Sequence, residues 1–233
     1  MVGKHTRVSS LLTGIFNERP PLPRYSFVWD VEIALKFIKT LPIDDSISDK
    51  LLTYKLVTLL SLLAASRVSE ITNLDIDFLL KQPDVYVFTF SQVSKTWKPG
   101  QKAPTMEFKV YDRDVSLCVC RTIDLYLKRT ESRRGDYKQL LISIVRPYHP
   151  VKSCTVSRWL VDMLGLSGID TKTFKAHSTR AASTSKASSS GISLTEIVKR
   201  GKWKSDSTFR KFYHKNIVKE SDFQGSILAT KKL

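Results

Sequence analysis

The segment from Leu51 to Ala65 is the feature that most constrains how this chain folds. It is so rich in leucine, with valine and alanine, that a helix there has no wide polar face to turn toward water. We therefore expect a central core helix around which the other elements pack. Arg67 follows this helix directly, and Ser66 is a suitable cap for a next, short helix.

Length and composition predict a globular protein with an unusual charge. The 233 residues suffice for one large core, and 42% hydrophobic and 26% charged residues are ordinary values. Lysine and arginine number 38 against 22 acidic residues, a net charge of +16. This excess favours a polyanionic partner, because basic side chains release the counterions condensed on phosphates. No apolar run reaches transmembrane length, so we expect a nucleic acid and no membrane.

The cysteines Cys118, Cys120 and Cys154 are odd in number and fit a reduced, intracellular environment. The Cys-Val-Cys motif admits a metal site, but zinc needs four ligands and no second Cys/His cluster lies nearby. Small apolar residues on a helix are the favoured interpretation. We expect no metal and no small-molecule cofactor.

The chain divides into three parts. Residues 1–25 are rich in Pro, Arg and Ser, with a run from Arg19 to Arg24 that forbids regular helix, and we interpret them as an arm or linker. Residues 26–215 form the main domain, and residues 216–233 are a tail without a clear period.

The periodicity of the main domain predicts a mainly α fold with a small antiparallel β-hairpin or sheet, an α+β class. Apolar residues at helical spacing start at Trp29, and Pro42 ends that helix. Residues 84–90 and 105–111 alternate as strands do and predict a hairpin with a long, basic tip. Further helices are expected at 115–129, at 155–164, after His177, between the capping box at Ser193 and the stop at Gly201, and around Tyr213.

Three sequence elements in a fixed order suggest the chemistry. Arg67 comes first, His177 and Arg180 form a His-x-x-Arg, and Tyr213 lies late in the chain. Cutting a phosphodiester without metal needs a nucleophile, and a tyrosine makes a covalent link that can be reversed. It also needs fixed cations such as arginines for the growing charge, and a proton donor such as a hairpin lysine of lowered pKa. The set points to a tyrosine nucleophile aimed at a DNA phosphate.

Each residue by itself has an ordinary structural interpretation. Arg67 has an obvious ion-pair partner in Glu70. His177 alone is typical of a histidine that caps a helix. Tyr213 shares a helix face with Phe209 and is typical of an amphipathic core position. It is the combination, on a basic chain, that favours chemistry.

The same segments resemble the motifs of the tyrosine recombinases, the phage integrase superfamily. Residues 65–71 are similar to the first arginine box, residues 177–180 to the second, and residues 201–213 to the terminal box. The resemblance extends over about 26–215. The step from Trp203 to Tyr213 is ten residues, one longer than is familiar in the family, and the segment is most similar to Crypton-type eukaryotic mobile-element recombinases.

The resemblance implies the catalytic-domain fold of these recombinases and site-specific DNA integration through a 3′-phosphotyrosyl intermediate, without metal. It implies that Arg67 and Arg180 clamp the scissile phosphate, that His177 is the general base and that Tyr213 attacks. It further implies that Trp203 donates its indole N–H or packs the nucleophile helix, and that Glu70 orients its neighbours. Lys95 is the expected acid for the leaving oxygen, with Lys98 as its rival.

Double-stranded DNA is the expected partner. The resemblance implies a homotetramer on two DNA sites for a full-length protein, with the tail docked on a neighbouring protomer as one option. Basic runs at Arg133–Arg134 and Lys199–Lys202 also suggest nuclear import. The DNA-contacting side chains are expected to include Lys98, Lys175, Lys202, Lys204, Arg210 and Lys211.

Three alternatives stay open at this point. One is a catalytically silent DNA-binding protein derived from such a recombinase. Another is a type IB topoisomerase, although a histidine in the second box favours the recombinase. A metal nuclease built on Asp75 and Asp77 lacks a credible third carboxylate.

Overall fold

The computed structural model describes residues 5–20, 25–91, 100, 102–203 and 205–218. The helices are α1 Thr6–Glu18, α2 Val31–Thr40, α3 Asp49–Ala64, α4 Val68–Thr72, α5 Val119–Arg134, α6 Ser153–Leu166, α7 Ser178–Ser189, α8 Leu194–Arg200 and α9 Asp206–Phe212. The strands are β1 Phe27–Trp29, β2 Leu79–Lys81, β3 Val85–Thr89, β4 Thr105–Lys109 and β5 Asn216–Val218. Short 3₁₀ turns lie at Ile76–Phe78 and Val115–Leu117.

Helix α3 is the centre of the fold, as its composition predicts. Ser48 caps it, since the Ser48 hydroxyl accepts a hydrogen bond of 3.3 Å from the Leu51 amide. Leu56 and Leu60 are completely buried, while Leu63 is exposed near the end of the helix. Helices α5, α6 and α7 pack around α3. Burial of this helix on nearly all sides holds the residues that follow it in one place.

The predicted hairpin is present as β3 and β4, which pair antiparallel from Val85↔Lys109 to Thr89↔Thr105. Strand β2, which the sequence did not reveal, adds a third strand beside β3. Phe88 and Phe108 face the core at the two sides of this pairing. The connector between β3 and β4 contains Lys95 and Lys98, and both lysines lie outside the described residues.

A second, parallel sheet joins the start of the main domain to the first residues of the predicted tail. Strand β5 pairs with β1, with Val28 opposite Ile217. The helix whose apolar pattern starts at Trp29 begins only at Val31, because the Asp30 carboxylate caps it by accepting from the Glu32 amide at 3.0 Å. Trp29 therefore lies in a strand, where its indole N–H donates to the Ser178 hydroxyl at 2.9 Å.

The N-terminal arm contains a helix that its composition did not suggest. The proline run that forbids helix begins only after α1 has ended at Glu18. Helix α1 buries none of its residues, and its apolar side chains are exposed. The residues expected to form an arm or linker thus contain a helix ahead of the proline run, where the sequence pattern predicted no element.

Most of the other predicted helices are present, with shifted ends. The Ser193 hydroxyl accepts from the Glu196 amide at 3.2 Å and opens α8, which ends at Gly201 as predicted. The cap of α4 is Arg67, so the prediction of Ser66 was wrong by one residue. Along the ranges that the structure describes, none of the helices combines the length and the apolar character that a membrane crossing requires.

Candidate active site

The end of α3 is tied to α7 and α8 by side chains that bind its last carbonyls. Ser183 of α7 donates to the Leu62 carbonyl. Arg200 of α8 donates to the Leu63 carbonyl from two nitrogens, at 3.1 and 3.0 Å. These carbonyls have no partner within α3, so the two contacts satisfy groups that a helix end leaves open. Ala65 then takes a left-handed conformation, φ 48°, which turns the chain sharply toward Arg67.

Glu70 holds Arg67 in place. Its carboxylate accepts from the Arg67 guanidinium at 2.9 Å and from the Arg67 amide at 3.4 Å. The Glu70 side chain is only 10% exposed, whereas that of Arg67 is 42% exposed. The ordinary ion pair and the predicted orienting role of Glu70 are thus both compatible with the geometry, because one face of Arg67 is held and the other stays open.

Arg180 is the most unusual side chain of the site. It is only 2% exposed, and one guanidinium nitrogen donates to the Gly201 carbonyl. Its Nε and Nη1 are buried without a hydrogen-bond partner among the described residues. Burial, with a contribution from the nearby charge of Arg67, lowers the pKa of Arg180 to about 10. The guanidinium is therefore charged at neutral pH, yet two of its donor positions lack an acceptor.

Trp203 covers Arg180 on one side. The centre of its ring lies 4.2 Å from the guanidinium carbon, a cation–π contact, and 4.7 Å from the ring of Tyr213. Its indole N–H is buried and, within the described part of the chain, has no acceptor. A Cβ atom at Gly201 would overlap the Trp203 ring, so this glycine is needed for space as well as for ending α8.

Tyr213 ends α9 and is held by its backbone. The Ser185 hydroxyl of α7 donates to the Tyr213 carbonyl at 2.9 Å and accepts from the Lys215 amide at 3.0 Å. The ring of Tyr213 is half-buried, 5.2 Å from the Arg180 guanidinium and 5.8 Å from the ring of His177. Ser185 thus holds the main chain on both sides of His214, and the Tyr213 ring lies beside Arg180.

Three of the predicted catalytic side chains line a single cleft. A cavity of about 280 Å³ is lined by Arg67, His177 and Arg180 together with small residues. His177 is exposed at the start of α7 rather than buried. Trp203 and Tyr213 join the group through their contacts with Arg180. Five residues from three separate stretches of the sequence are therefore neighbours, whereas Lys95 lies outside the described residues.

The predicted DNA-contacting side chains are differently placed. Lys175 and Lys211 are exposed, and the Lys211 ammonium lies 5.4 Å from the Phe16 ring of α1. Arg210 is exposed and has Asp206 at 3.4 Å. Lys202 is half-buried beside the site. Lys98 and Lys204 lie outside the described residues.

Sequence reasoning missed several residues that position the site. Ser178 anchors Trp29, and Ser185 holds the backbone around Tyr213. Both lie on α7, whose small residues let it sit buried between α3 and the β1–β5 sheet. Ser178 and Ser185 are seven residues apart, about two helical turns, and this spacing indicates that they lie on the same face of α7.

The two cysteines of the Cys-Val-Cys motif are buried, as small apolar residues on a helix would be, whereas Cys154 is exposed. Cys118 and Cys120 are buried at the start of α5, and the Cys120 thiol donates to the Phe108 carbonyl at 3.3 Å. Burial raises the pKa of Cys120 to about 12. Over the described ranges, no group of three or more His, Cys, Asp or Glu residues is arranged to hold a metal ion.

Arg200 is expected to matter for stability more than its exposure suggests. Besides its bonds to Leu63 it donates to the Glu107 carbonyl of β4 at 2.9 Å, so it joins α8 to both α3 and the sheet. Arg200→Ala should lower the free energy of unfolding by about 1 kcal/mol, the net contribution of such hydrogen bonds. Urea denaturation measures this, and Lys199→Ala, an exposed neighbour on α8, is the control. Equal stability of the two variants would contradict the structural role.

Comparisons with known proteins identify the family and the fold of this chain. The model of the phage integrase family matches residues 31–218. The XerA recombinase has a TM-score of 0.60 at 17% identity, covering 93% of this chain and 69% of its own. The XerH site-specific recombinase bound to difH substrate, a pre-cleavage complex, has a TM-score of 0.61 at 13% identity, and the match covers 81% of this chain and 49% of the XerH chain. A lambda integrase dimer bound to a COC′ core site has a TM-score of 0.53 at 17% identity, and the match covers 84% of this chain and 50% of the integrase chain.

These likenesses confirm the predicted fold class, which is that of tyrosine recombinase catalytic domains with a small antiparallel sheet. The chain spans about half the length of the XerH and lambda integrase chains. No curated protein sequence matches it significantly.

Proposed function

Since this chain belongs to the phage integrase family, we propose that it cleaves and rejoins DNA at specific sites with Tyr213 as its nucleophile. Family and fold support site-specific DNA recombination in general. The finer proposal is a covalent 3′-phosphotyrosyl intermediate formed without a metal ion.

One observation carries the proposal: the buried, incompletely bonded Arg180 beside Tyr213. Two guanidinium nitrogens of Arg180 and the indole nitrogen of Trp203 lack acceptors in the described structure. A buried donor without an acceptor costs about 1–3 kcal/mol, so such a cluster is typical of a ligand site rather than of a structural core. A phosphodiester supplies negative charge and several acceptor oxygens, and Arg67 faces the same cleft.

The residues then have complementary roles in the reaction. The Tyr213 oxygen attacks phosphorus while His177 takes the phenolic proton, and the bond from phosphorus to the 5′ oxygen breaks. Arg67 and Arg180 bind the non-bridging oxygens, on which charge grows in the transition state. The products are a 3′-phosphotyrosyl link and a 5′ hydroxyl, which takes its proton from Lys95 or its rival Lys98. Reversal of the same steps with a new 5′ hydroxyl joins the strands.

We further propose the finer identity that the sequence motifs suggest. The ten-residue step from Trp203 to Tyr213 supports a Crypton-type recombinase of a mobile element, working on DNA in the nucleus. Among the similar structures is a lambda integrase tetramer bound to a Holliday junction. A homotetramer on two DNA sites is the corresponding proposal for a full-length form of this protein.

Covalent capture tests the function without knowledge of the target sequence. The full chain is incubated with a pool of nicked suicide duplexes that carry a randomised central segment, and DNA that stays bound after denaturation is recovered and sequenced. We expect an enriched sequence, and a label on the strand 5′ to the break should remain with the protein. Attachment of the label on the other side would contradict a 3′ linkage.

Two other outcomes point to the alternatives. Specific binding without any covalent product would overturn the catalytic proposal in favour of a silent DNA-binding protein. Relaxation of supercoiled plasmid by isolated monomers, without sequence enrichment in the captured pool, would instead indicate a topoisomerase.

A further inference from the structure

Lys202 occupies a strained position next to the proposed active site. Its φ of 53° is left-handed, and Ala65 is the other non-glycine residue with positive φ among those described. Ala65 lies two residues before Arg67, and Lys202 lies directly between Gly201 and Trp203. A left-handed conformation is unfavourable for a lysine, so the backbone at this point is held by the surrounding structure.

The Lys202 side chain points into the protein rather than into solvent. Its ammonium lies 4.2 Å from the centre of the Phe90 ring, and the residue is half-buried. Phe90 is buried and follows β3 directly, where the connector between β3 and β4 begins. The ammonium therefore lies on an aromatic ring where that connector begins, whereas the neighbouring Lys199 is exposed.

The charges around Lys202 are unbalanced. Burial lowers the pKa of Lys202; Glu70 opposes the shift, and the charges of Arg67, Arg180 and Arg200 add to it. Glu70 is already bonded to Arg67. Within the described residues, Lys202 forms no ion pair with a carboxylate. Lys202 lines a cavity with Lys199, Arg200, Glu107 and Glu196, and Ser66 lines both this cavity and the cleft of Arg67 and Arg180. These five cations outnumber the three carboxylates of Glu70, Glu107 and Glu196, an arrangement that favours a bound anion.

We propose that the Lys202 ammonium binds the scissile phosphate itself and stabilises its transition state, as a third cation beside Arg67 and Arg180. This inference rests on the proposed function and deepens it. Lys202 was predicted as one DNA contact among several exposed lysines and arginines. Its half-burial, its position beside Trp203, which covers Arg180, and the Ser66 shared by its cavity and the cleft of both arginines support a place at the reacting phosphate instead. It moves no proton in this role, so the proton donor for the 5′ oxygen is unaffected.

The left-handed backbone at Lys202 allows a substitution that removes the side chain without straining the main chain. Glycine accepts a φ of 53° without strain, so Lys202→Gly removes the ammonium and keeps the local fold. Lys202→Arg keeps a cation, and Lys199→Ala removes an exposed lysine from the neighbouring helix end as a matched control. Thermal unfolding of each variant checks that the fold is intact.

The test compares two substrates in single-turnover covalent trapping with the captured DNA sequence. One carries the natural phosphodiester at the cleavage position, and the other a methylphosphonate, which lacks the negative charge. At saturating DNA, Lys202→Gly should slow cleavage of the phosphodiester roughly 100-fold, as loss of one transition-state donor does. On the methylphosphonate the same variant should stay within roughly threefold of the unaltered protein, because the charge that Lys202 stabilises is gone.

The other results are equally decisive. Lys202→Arg should recover most of the rate, and Lys199→Ala should weaken binding at most while leaving the rate at saturation unchanged. An equal loss for Lys202→Gly on both substrates, or a loss in binding alone, would overturn the proposal. If the unaltered protein forms no covalent product, the proposed function falls and this inference with it. If it forms one and Lys202→Gly matches it, only the role of Lys202 is refuted.

Discussion

Tyr213→Phe should abolish the covalent protein–DNA product, with a loss of at least roughly 10⁴-fold in trapping rate, as removal of a nucleophile does in other covalent enzymes. The phenyl ring keeps the contacts with Trp203 and Arg180, at 4.7 and 5.2 Å, so the site stays packed. Ser185 binds the backbone of Tyr213 and not its ring, so the main chain is held as before. Quantitative trapping on suicide DNA, followed by denaturing electrophoresis, measures the effect.

Two controls separate loss of chemistry from loss of structure. Tyr137→Phe, at an exposed tyrosine after α5, should trap DNA at the normal rate. DNA affinity of Tyr213→Phe should equal that of the unaltered protein within about twofold, because a single neutral hydroxyl adds little to phosphate binding. A covalent band that persists in Tyr213→Phe would show that another residue is the nucleophile.

Arg180→Ala should give the second largest effect, a loss of roughly 10³- to 10⁵-fold in cleavage rate, the range typical of an arginine that stabilises phosphoryl transfer. Its affinity for DNA should fall by less than about tenfold, since one phosphate contact among many is removed. We expect a larger loss of rate than of affinity because two Arg180 nitrogens have no acceptor in the described structure. These nitrogens can donate to the phosphate oxygens on which charge grows during the reaction. Single-turnover rates at saturating DNA and equilibrium binding give the two numbers.

Arg180→Lys and Arg121→Ala complete this series. Lysine keeps the charge but not the planar fork, so Arg180→Lys should stay severely impaired. Arg121 is exposed on α5 and only loosely paired with Asp112, at 3.7 Å, so its loss should leave the rate unchanged. Parallel losses of binding and cleavage in Arg180→Ala would argue that the residue holds the fold or the DNA rather than the transition state.

The sequence predicts the apolar parts of this fold well, because burial leaves a periodic signal. Helix α3 and the β3–β4 hairpin are where their patterns place them. Helix α7 shows the limit: it is predominantly serine, threonine and alanine, yet seven of its twelve residues are buried. Small polar side chains that bond to neighbouring backbone carry no hydrophobic period, so their central position becomes visible only in three dimensions.

The site shows the same division. Residue types and order suggested Arg67, His177, Arg180, Trp203 and Tyr213, and the structure brings them together. Their roles stay proposals. The sequence did not reveal that Arg180 is buried with two guanidinium nitrogens that lack acceptors. Its burial results from the packing of Trp203 against α7, and such a contact between distant segments leaves no pattern in the sequence. The sequence also did not distinguish Lys202 from the exposed lysines near it, because nothing in the sequence around a lysine indicates that its backbone is left-handed.

The pairing of β1 with β5 has a consequence for where this domain can be cut. The family match begins at residue 31, after β1 has ended. Strand β1 nevertheless supplies the neighbour for β5, and Trp29 reaches Ser178 at the start of α7. A shortened protein that starts at the family boundary would keep all five clustered site residues and lose the strand that anchors the chain just beyond Tyr213. We therefore expect such a shortened protein to be less stable around β5 than the full chain, although it keeps every residue of the site.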